Sequence, residues 1–138
     1  MAAATFQLQI VTQEGVVLQC PVESLRAPGA DGYFGVKRGH APLVAELTVG
    51  TLLVREPSKK VARCFACSGG ICEVMPSQVV ILADAVEENH KIDVSRAQAA
   101  ETRARDRLNS RTPDTDLRRA EIALRRALNR LKVAGRSA

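Results

Sequence analysis

The apolar pattern of this chain changes period once, after His90, and that change dictates a fold in two parts. Before it, short apolar or alternating runs are interrupted by glycine, proline and serine, which is the signature of antiparallel strands. The runs fall at 6–12, 16–22, 24–27, 33–36, 43–47, 51–55, 60–68, 71–75 and 78–82. Gly15, the 28–32 segment, Gly50, Pro57 with Ser58, Gly69 with Gly70, and Pro76 with Ser77 supply the breaks. No helix-length crossover separates successive strands, so a sandwich or barrel is favoured over a parallel sheet. After His90, Val94, Ala97, Glu101, Ala104 and Leu108 recur at helical spacing. Leu117, Ala120, Leu124, Ala127, Leu128 and Leu131 form a stronger stripe of the same kind. The chain reads as an all-β sandwich over 1–88 followed by an antiparallel α-helical hairpin over 89–138.

Punctuation within the second part agrees with its period. Asp93 is placed to cap the first helix, Thr112, Pro113, Asp114 and Asp116 suit the start of the second, and Gly135 suits its end. The 109–112 link is too short for anything but an antiparallel pair. Stripes this rich in alanine allow close approach but bury little area each, so the hairpin is expected to be loosely held, able to dock or detach.

With 138 residues the chain can bury one main core, and 46% hydrophobic with 25% charged residues excludes disordered, collagen-like and coiled architectures. The longest uninterrupted apolar run, 79–83, is far short of the roughly 20 residues a bilayer requires. Residues 1–9 lack a basic stretch followed by an apolar one, so no secretory signal is read and a cytoplasm-facing location is expected. Cys20, Cys64, Cys67 and Cys72 are then expected to be reduced, buried thiols with no bridge. Charge is divided unevenly: 1–91 carry 8 basic and 9 acidic residues, 92–138 carry 12 and 6, so the net +5 is −1 and +6. A basic tail attracts an acidic protein surface, a nucleotide or a nucleic acid, and composition does not choose among them.

The segment Pro28, Gly29, Gly32, Phe34, Gly35, Val36, Gly39, His40, Ala41, Pro42, Leu43 resembles the signature loop of the epsilon subunits of F-type ATP synthases. Three further pieces follow in that family's order. They are Ser68, Gly69 and Gly70 with Glu73 and Val74; Ile92, Asp93, Arg96 and Ala97; and the run Arg126, Ala127, Leu128, Asn129, Arg130, Leu131. Lys37 and Arg38 depart from the pattern where an apolar residue and a proline are common, as do Ile71 and Cys72 in place of a usual Phe-Val pair. The resemblance implies a non-catalytic stalk protein whose sandwich binds the gamma subunit and the c-ring, with Asp31, Gly32, Tyr33 and His40 as contacts. It implies a hairpin with two poses, compact on the sandwich or extended along gamma toward the alpha and beta subunits. In the extended pose a basic face of Arg118, Arg119, Arg125, Arg126 and Arg130 would meet acidic segments of beta and restrain ATP hydrolysis. The implied location is peripheral, on the cytoplasmic side of the bacterial inner membrane, with the chloroplast thylakoid as the second choice.

The same resemblance marks Glu87, Ile92, Asp93, Arg96, Ala97, Arg103, Arg126 and Arg130 as the positions that contact ATP in relatives that bind it. ATP would then be a regulatory ligand, with no cofactor required. Helical geometry sets Arg96 and Arg103 about 20° apart and Arg126 and Arg130 about 40° apart, so four guanidinium groups on a closed hairpin could clamp a polyphosphate. The simpler reading also stands: Asp93 as a helix cap and the arginines as a solvated face.

His40, in a Gly- and Pro-rich loop without a nucleophile or carboxylate pair, reads as a structural residue, and no catalytic residue is named. Cys64 and Cys67 form a CxxC, but residues three apart on a strand point to opposite faces, so no metal site is expected. Gly69 with Gly70 reads as a hairpin turn and not as a phosphate loop. The rival function is a nucleic-acid-binding module using the basic hairpin. Against it, the Tyr and three Phe all precede residue 92 and Trp is absent, leaving the basic half no stacking platform.

Overall fold

The computed structural model describes residues 4–110 and 112–136. Residues 1–3, Arg111 in the inter-helix link, and 137–138 at the end of the expected hairpin lie outside the described residues. Eight strands precede the helices: β1 (Phe6–Thr12), β2 (Gly15–Val22), β3 (Ser24–Gly29), β4 (Gly32–Val36), β5 (Leu43–Arg55), β6 (Arg63–Val74), β7 (Gln78–Ala83) and β8 (Val86–Glu88). A 3-10 turn (Asn89–Lys91) leads into α1 (Val94–Asn109) and α2 (Leu117–Ala134). The strand order is β2-β1-β7-β6-β5-β3-β4, with β8 beside β6. β1 runs parallel to β7, and every other pairing is antiparallel.

The long β5–β6 hairpin belongs to both layers of the sandwich. The second half of β6 (70–74) bonds β7, whereas its first half (65–67) bonds β8. Between the halves the inward-facing phase slips: Phe65 and Cys67 lie in the core, then Cys72 and Val74. β5 slips in the same way, from Leu47 to Leu52 and Val54. Alternation of period two cannot do this without an irregular residue, and glycine provides it.

This corrects two expectations. Gly69 with Gly70 is not a hairpin turn, and Gly50 does not end a strand; β6 and β5 run straight through them. At Gly70 φ is +140°, and a Cβ there would fall on the Leu82 carbonyl oxygen and 2.8 Å from Ala83 Cα. At Gly50 a Cβ would meet Pro28 Cβ at 2.5 Å and Tyr33 Oη at 2.7 Å. Both glycines are present because another part of the chain presses against them. The link between helices is also longer than 109–112. Thr112 and Thr115 close a turn, and Asp116 caps α2 by accepting from Arg119 N–H at 3.0 Å. Asp93 caps α1 as expected, accepting from Arg96 N–H at 3.0 Å. Gly135 ends α2 in ordinary right-handed conformation (φ −78°), its N–H bonding Leu131 O.

The main core lies between the layers, around Leu8, Ile10, Leu25, Leu52, Phe65 and Ile81. Cys67 and Cys72 belong to it, whereas Cys64 faces the opposite side of β6, under the helices. Burial pushes the Cys72 thiol up to about 12 and raises Cys64 and Cys67 as well, so these thiols stay protonated.

One ion network fixes the end of the sandwich. Arg63 donates from Nε and Nη2 to both Glu88 carboxylate oxygens at 2.8 Å, and from Nη1 to Glu56 at 2.7 Å. The Arg63 hydrogen bonds hold the Glu88 carboxyl below its usual value against the opposing effect of burial. Because the folded value is depressed, the stabilisation is present above the unfolded value of about 4.3 and lost as pH falls through the folded one. Glu88→Gln should therefore cost about 1–2 kcal/mol near pH 7, a figure discounted for the 35% exposure of Arg63. Urea unfolding at stepped pH should show the gap between the two proteins closing below about pH 4; a gap independent of pH would contradict the assignment.

Candidate functional site

The helices rest on one outer face of the sandwich through a small seam. Cys64 and Ala66 of β6 meet Ile92 and Val133, with Leu53 and Ala134 partly buried around them. α2 lies on β5 and β6, and α1 packs on α2. Between the helices the fully covered residues are Ala97, Ala104, Ala120 and Ala127. Leu117 and Leu128 of the expected stripe remain 36% and 40% exposed, so the pair has apolar surface that this pose leaves uncovered.

Three polar ties supplement the seam. Asn129 Nδ2 donates to Gly50 O at 2.8 Å, Asn89 Nδ2 donates to Arg136 O at 3.0 Å, and Arg130 Nε pairs with Glu87 Oε1 at 2.9 Å. None was expected from sequence, because each joins residues far apart in the chain. Asn129 stood inside the Arg126-to-Leu131 motif, but nothing local names its partner.

Above the seam, where the hairpin meets β8 and the β1–β2 turn, a cleft of about 660 Å³ opens. Glu87, Ile92, Asp93, Arg96, Ala97 and Arg130 line it, together with Glu14, Asp84 and Lys91. Arg103 and Arg126 lie outside it on exposed helix surface; Arg126 lines a shallow hollow on α2 with Arg118 and Arg119. The compact pose thus brings two of the four arginines to one cleft. Arg130 is engaged there by Glu87, while the Asp93 carboxylate is spent in part on its cap. An incoming polyphosphate would have to displace Glu87 from Arg130. Arg118, Arg119, Arg125 and Arg126 are exposed.

At the opposite edge, Asp31 stands exposed in the β3–β4 turn and Gly32 opens β4 at φ +126°. Tyr33 is folded back: its hydroxyl accepts from Thr51 N–H at 2.9 Å and the Arg26 guanidinium lies 4.6 Å from its ring centroid. His40 Nδ1 donates to Ala41 O at 2.7 Å. Tyr33 and His40 share a groove of about 750 Å³ with Arg26, Lys37, Arg38 and Arg55.

Sequence reasoning missed a second surface. On the layer facing away from the helices, Val44, Ile71 and Leu82 are 70%, 49% and 55% exposed, and Val16, at the end of the same layer beside the cleft, is 56% exposed. Ile71 stands opposite Leu82, Leu82 opposite Val11, and Val11 opposite Val16, so an apolar row crosses β6, β7, β1 and β2. The signal was available in β7, where 79–82 are apolar at inward and outward positions alike.

A β anchor with a small helical pair laid on one outer face defines a two-part chain. Family comparison agrees. Residues 5–89 match the model for the β-sandwich domain of the ATP synthase delta/epsilon chain, and 90–135 match that for its long α-helix domain. The ATP synthase epsilon chain of Desulforamulus reducens is 50% identical over 132 residues, covering 96% of this chain and 98% of the relative. Those of Moorella thermoacetica and Bacillus velezensis are 48% and 46% identical over 96% and 95% of this chain and 98% of each relative. A chain of the Euglena gracilis mitochondrial ATP synthase superposes with TM-score 0.77 at 26% identity, covering 91% of this chain and 78% of that one. A chain from the central stalk and c-ring of the Tetrahymena thermophila enzyme shares the fold, with TM-score 0.61 at 14% identity over 97% of this chain and 96% of that one. The chain belongs to the family of F-type ATP synthase epsilon subunits.

Proposed function

We propose that this chain is a non-catalytic component of the central stalk of a proton-translocating ATP synthase, and that its C-terminal hairpin restrains ATP hydrolysis by leaving the sandwich. One observation carries the reading. Among the described residues, the hairpin contributes nothing to the main core and is held by a seam of four buried residues plus three polar ties. Such an attachment is weak enough to exchange for another of similar strength, and the half-exposed leucines together with the arginines of α2 suit a second, acidic docking surface on beta. The apolar row through Ile71 and Leu82 is suited to bind gamma, and the Asp31–Tyr33 turn with His40 to meet gamma or the c-ring. No helix among the described residues is long and apolar enough to cross a membrane. The resemblance to ATP synthase epsilon chains supports attachment through the complex, on the cytoplasmic side of the bacterial inner membrane.

A lock tests the mobile hairpin. Val133→Cys puts a second thiol into the cluster that holds Cys64. Oxidised, this chain should assemble yet fail to inhibit hydrolysis by the head complex; reduction should restore inhibition. Equal inhibition in both states would sink the reading.

ATP is proposed as the ligand of the cleft that Asp93, Arg96 and Arg130 share. Equilibrium dialysis against millimolar ATP should show binding that weakens about tenfold or more in Arg96→Ala with Arg130→Ala. Binding unchanged in that variant, or absent from the parent chain, would remove ATP from the account.

A further inference from the structure

The β3–β5 ladder has a gap. Its register slips between Arg26 and Gly29, so residues 27–28 of β3 span 48–52 of β5 without ladder pairing. Pro28, in that gap, has no amide hydrogen to offer. The peptide unit joining Gly50 to Thr51 turns its N–H toward the gap, where it needs another partner, and its carbonyl, trans to it, toward β6, where Gly50 stands opposite Cys67. Its N–H donates to Tyr33 Oη at 2.9 Å and its carbonyl accepts from Asn129 Nδ2 at 2.8 Å. The missing Gly50 side chain is what lets Pro28 and Tyr33 close over this peptide.

We propose that the Gly50–Thr51 peptide is a relay through which Tyr33, in the β3–β4 hairpin, positions and strengthens the Asn129 latch that holds α2 to the sandwich. Hydrogen bonds at the two ends of one peptide polarise each other, so each is stronger while the other is intact. Tyr33 is 48% exposed and lies beside the open turn at Asp31–Gly32, so a partner gripping this hairpin can reach it. Drawing its hydroxyl off Thr51 N–H weakens Gly50 O as an acceptor, which loosens the helix. Reciprocally, undocking α2 frees the Tyr33 hairpin, since coupling between two sites acts in both directions. The two-state element that both sites bias is the docked or released hairpin, so this inference rests on the mobility argued above. What it adds is a role for two residues that do not touch each other.

The native cysteines supply the assay. In a full-length Cys20→Ser background, Cys64 is covered by the helices while Cys67 and Cys72 lie in the sandwich core. N-ethylmaleimide labelling of Cys64 therefore reports hairpin release, and labelling of Cys67 and Cys72 reports global unfolding in the same molecule. Tyr33→Phe should speed Cys64 labelling roughly two- to tenfold, with Cys67 and Cys72 changed much less. Asn129→Ala should speed it at least as much. The double variant should resemble Asn129→Ala alone, because Tyr33 acts through Asn129. Multiplication of the two single effects, or no effect of Tyr33→Phe, would overturn the relay while leaving a mobile hairpin intact. If Cys64 is labelled only in step with Cys67 and Cys72 in every protein, the detachable hairpin fails and the relay with it.

Discussion

Deleting residues 92–138 should leave a folded β domain that still assembles into the synthase and should raise ATP hydrolysis by the complex severalfold. The structural half of this follows from where the core lies. Its outermost members along the chain are Phe6 and Ala83, well before the cut, and no residue of α1 or α2 belongs to it. β8 and its Arg63–Glu88 clamp are retained. The truncated domain loses the cover over Leu53, Cys64 and Ala66 and the polar ties of Gly50, Glu87 and Asn89 to the helices. Two of the uncovered side chains are small, so the cost should be about 1–2 kcal/mol, a modest fraction of a domain's stability. The functional half follows from the +6 charge of 92–138, which leaves with the deletion, and with it any docking on an acidic surface of the head. Circular dichroism and co-purification would check the first statement, and steady-state hydrolysis by full-length and truncated complexes the second. A truncated chain that cannot fold would contradict the placement of the core. One that folds and assembles without altering hydrolysis would contradict the inhibitory role.

Gly70→Ala should be the most damaging single methyl group in the chain. The added carbon would meet the Leu82 carbonyl and Ala83 Cα, both backbone atoms of the paired strand that cannot rotate aside, at a φ of +140° that L side chains rarely adopt. A loss of about 3 kcal/mol or more is expected, or a fall in Tm of roughly 12 °C or more for a domain this size. Gly15→Ala separates the two causes. Gly15 has a comparable φ of +121° but nothing within 4 Å of its would-be Cβ, so only the dihedral strain is incurred, about 1 kcal/mol. Equal losses at the two sites would mean that crowding at Gly70 is relieved by a shift of β7, and that the phase slip in β6 does not require glycine.

These glycines also show why the sequence was legible in some places and opaque in others. The change of period at His90 survived into the structure because it is a local property, written in residues that share a helix or strand. The Asp93 cap was local for the same reason, acting on an amide three residues away. Cys64 and Cys67 were separated correctly because that stretch of β6 keeps strict alternation; the same reasoning carried past Gly69 would have failed. Glycine itself is ambiguous in sequence. It marks a turn when the chain needs the dihedral and a close approach when another segment needs the space, and only Pro28, Tyr33 and Leu82 decide which. β8 escaped because three residues ending in two glutamates carry little strand signal, and one of those glutamates is held by Arg63 from 25 positions away. Among the expected ATP contacts, helical spacing grouped arginines along each helix but could not say which would meet a cleft formed jointly with the sandwich. Arg96 and Arg130 do; Arg103 and Arg126 do not.

Amide hydrogen exchange on the intact, isolated chain reads the division between anchor and hairpin most directly. Amides in α1 and α2 should exchange through a local opening orders of magnitude more often than those of β1, β6 and β7, which should wait for global unfolding. Uniform protection across helices and strands, lost together in one cooperative event, would show a single rigid body and contradict the account.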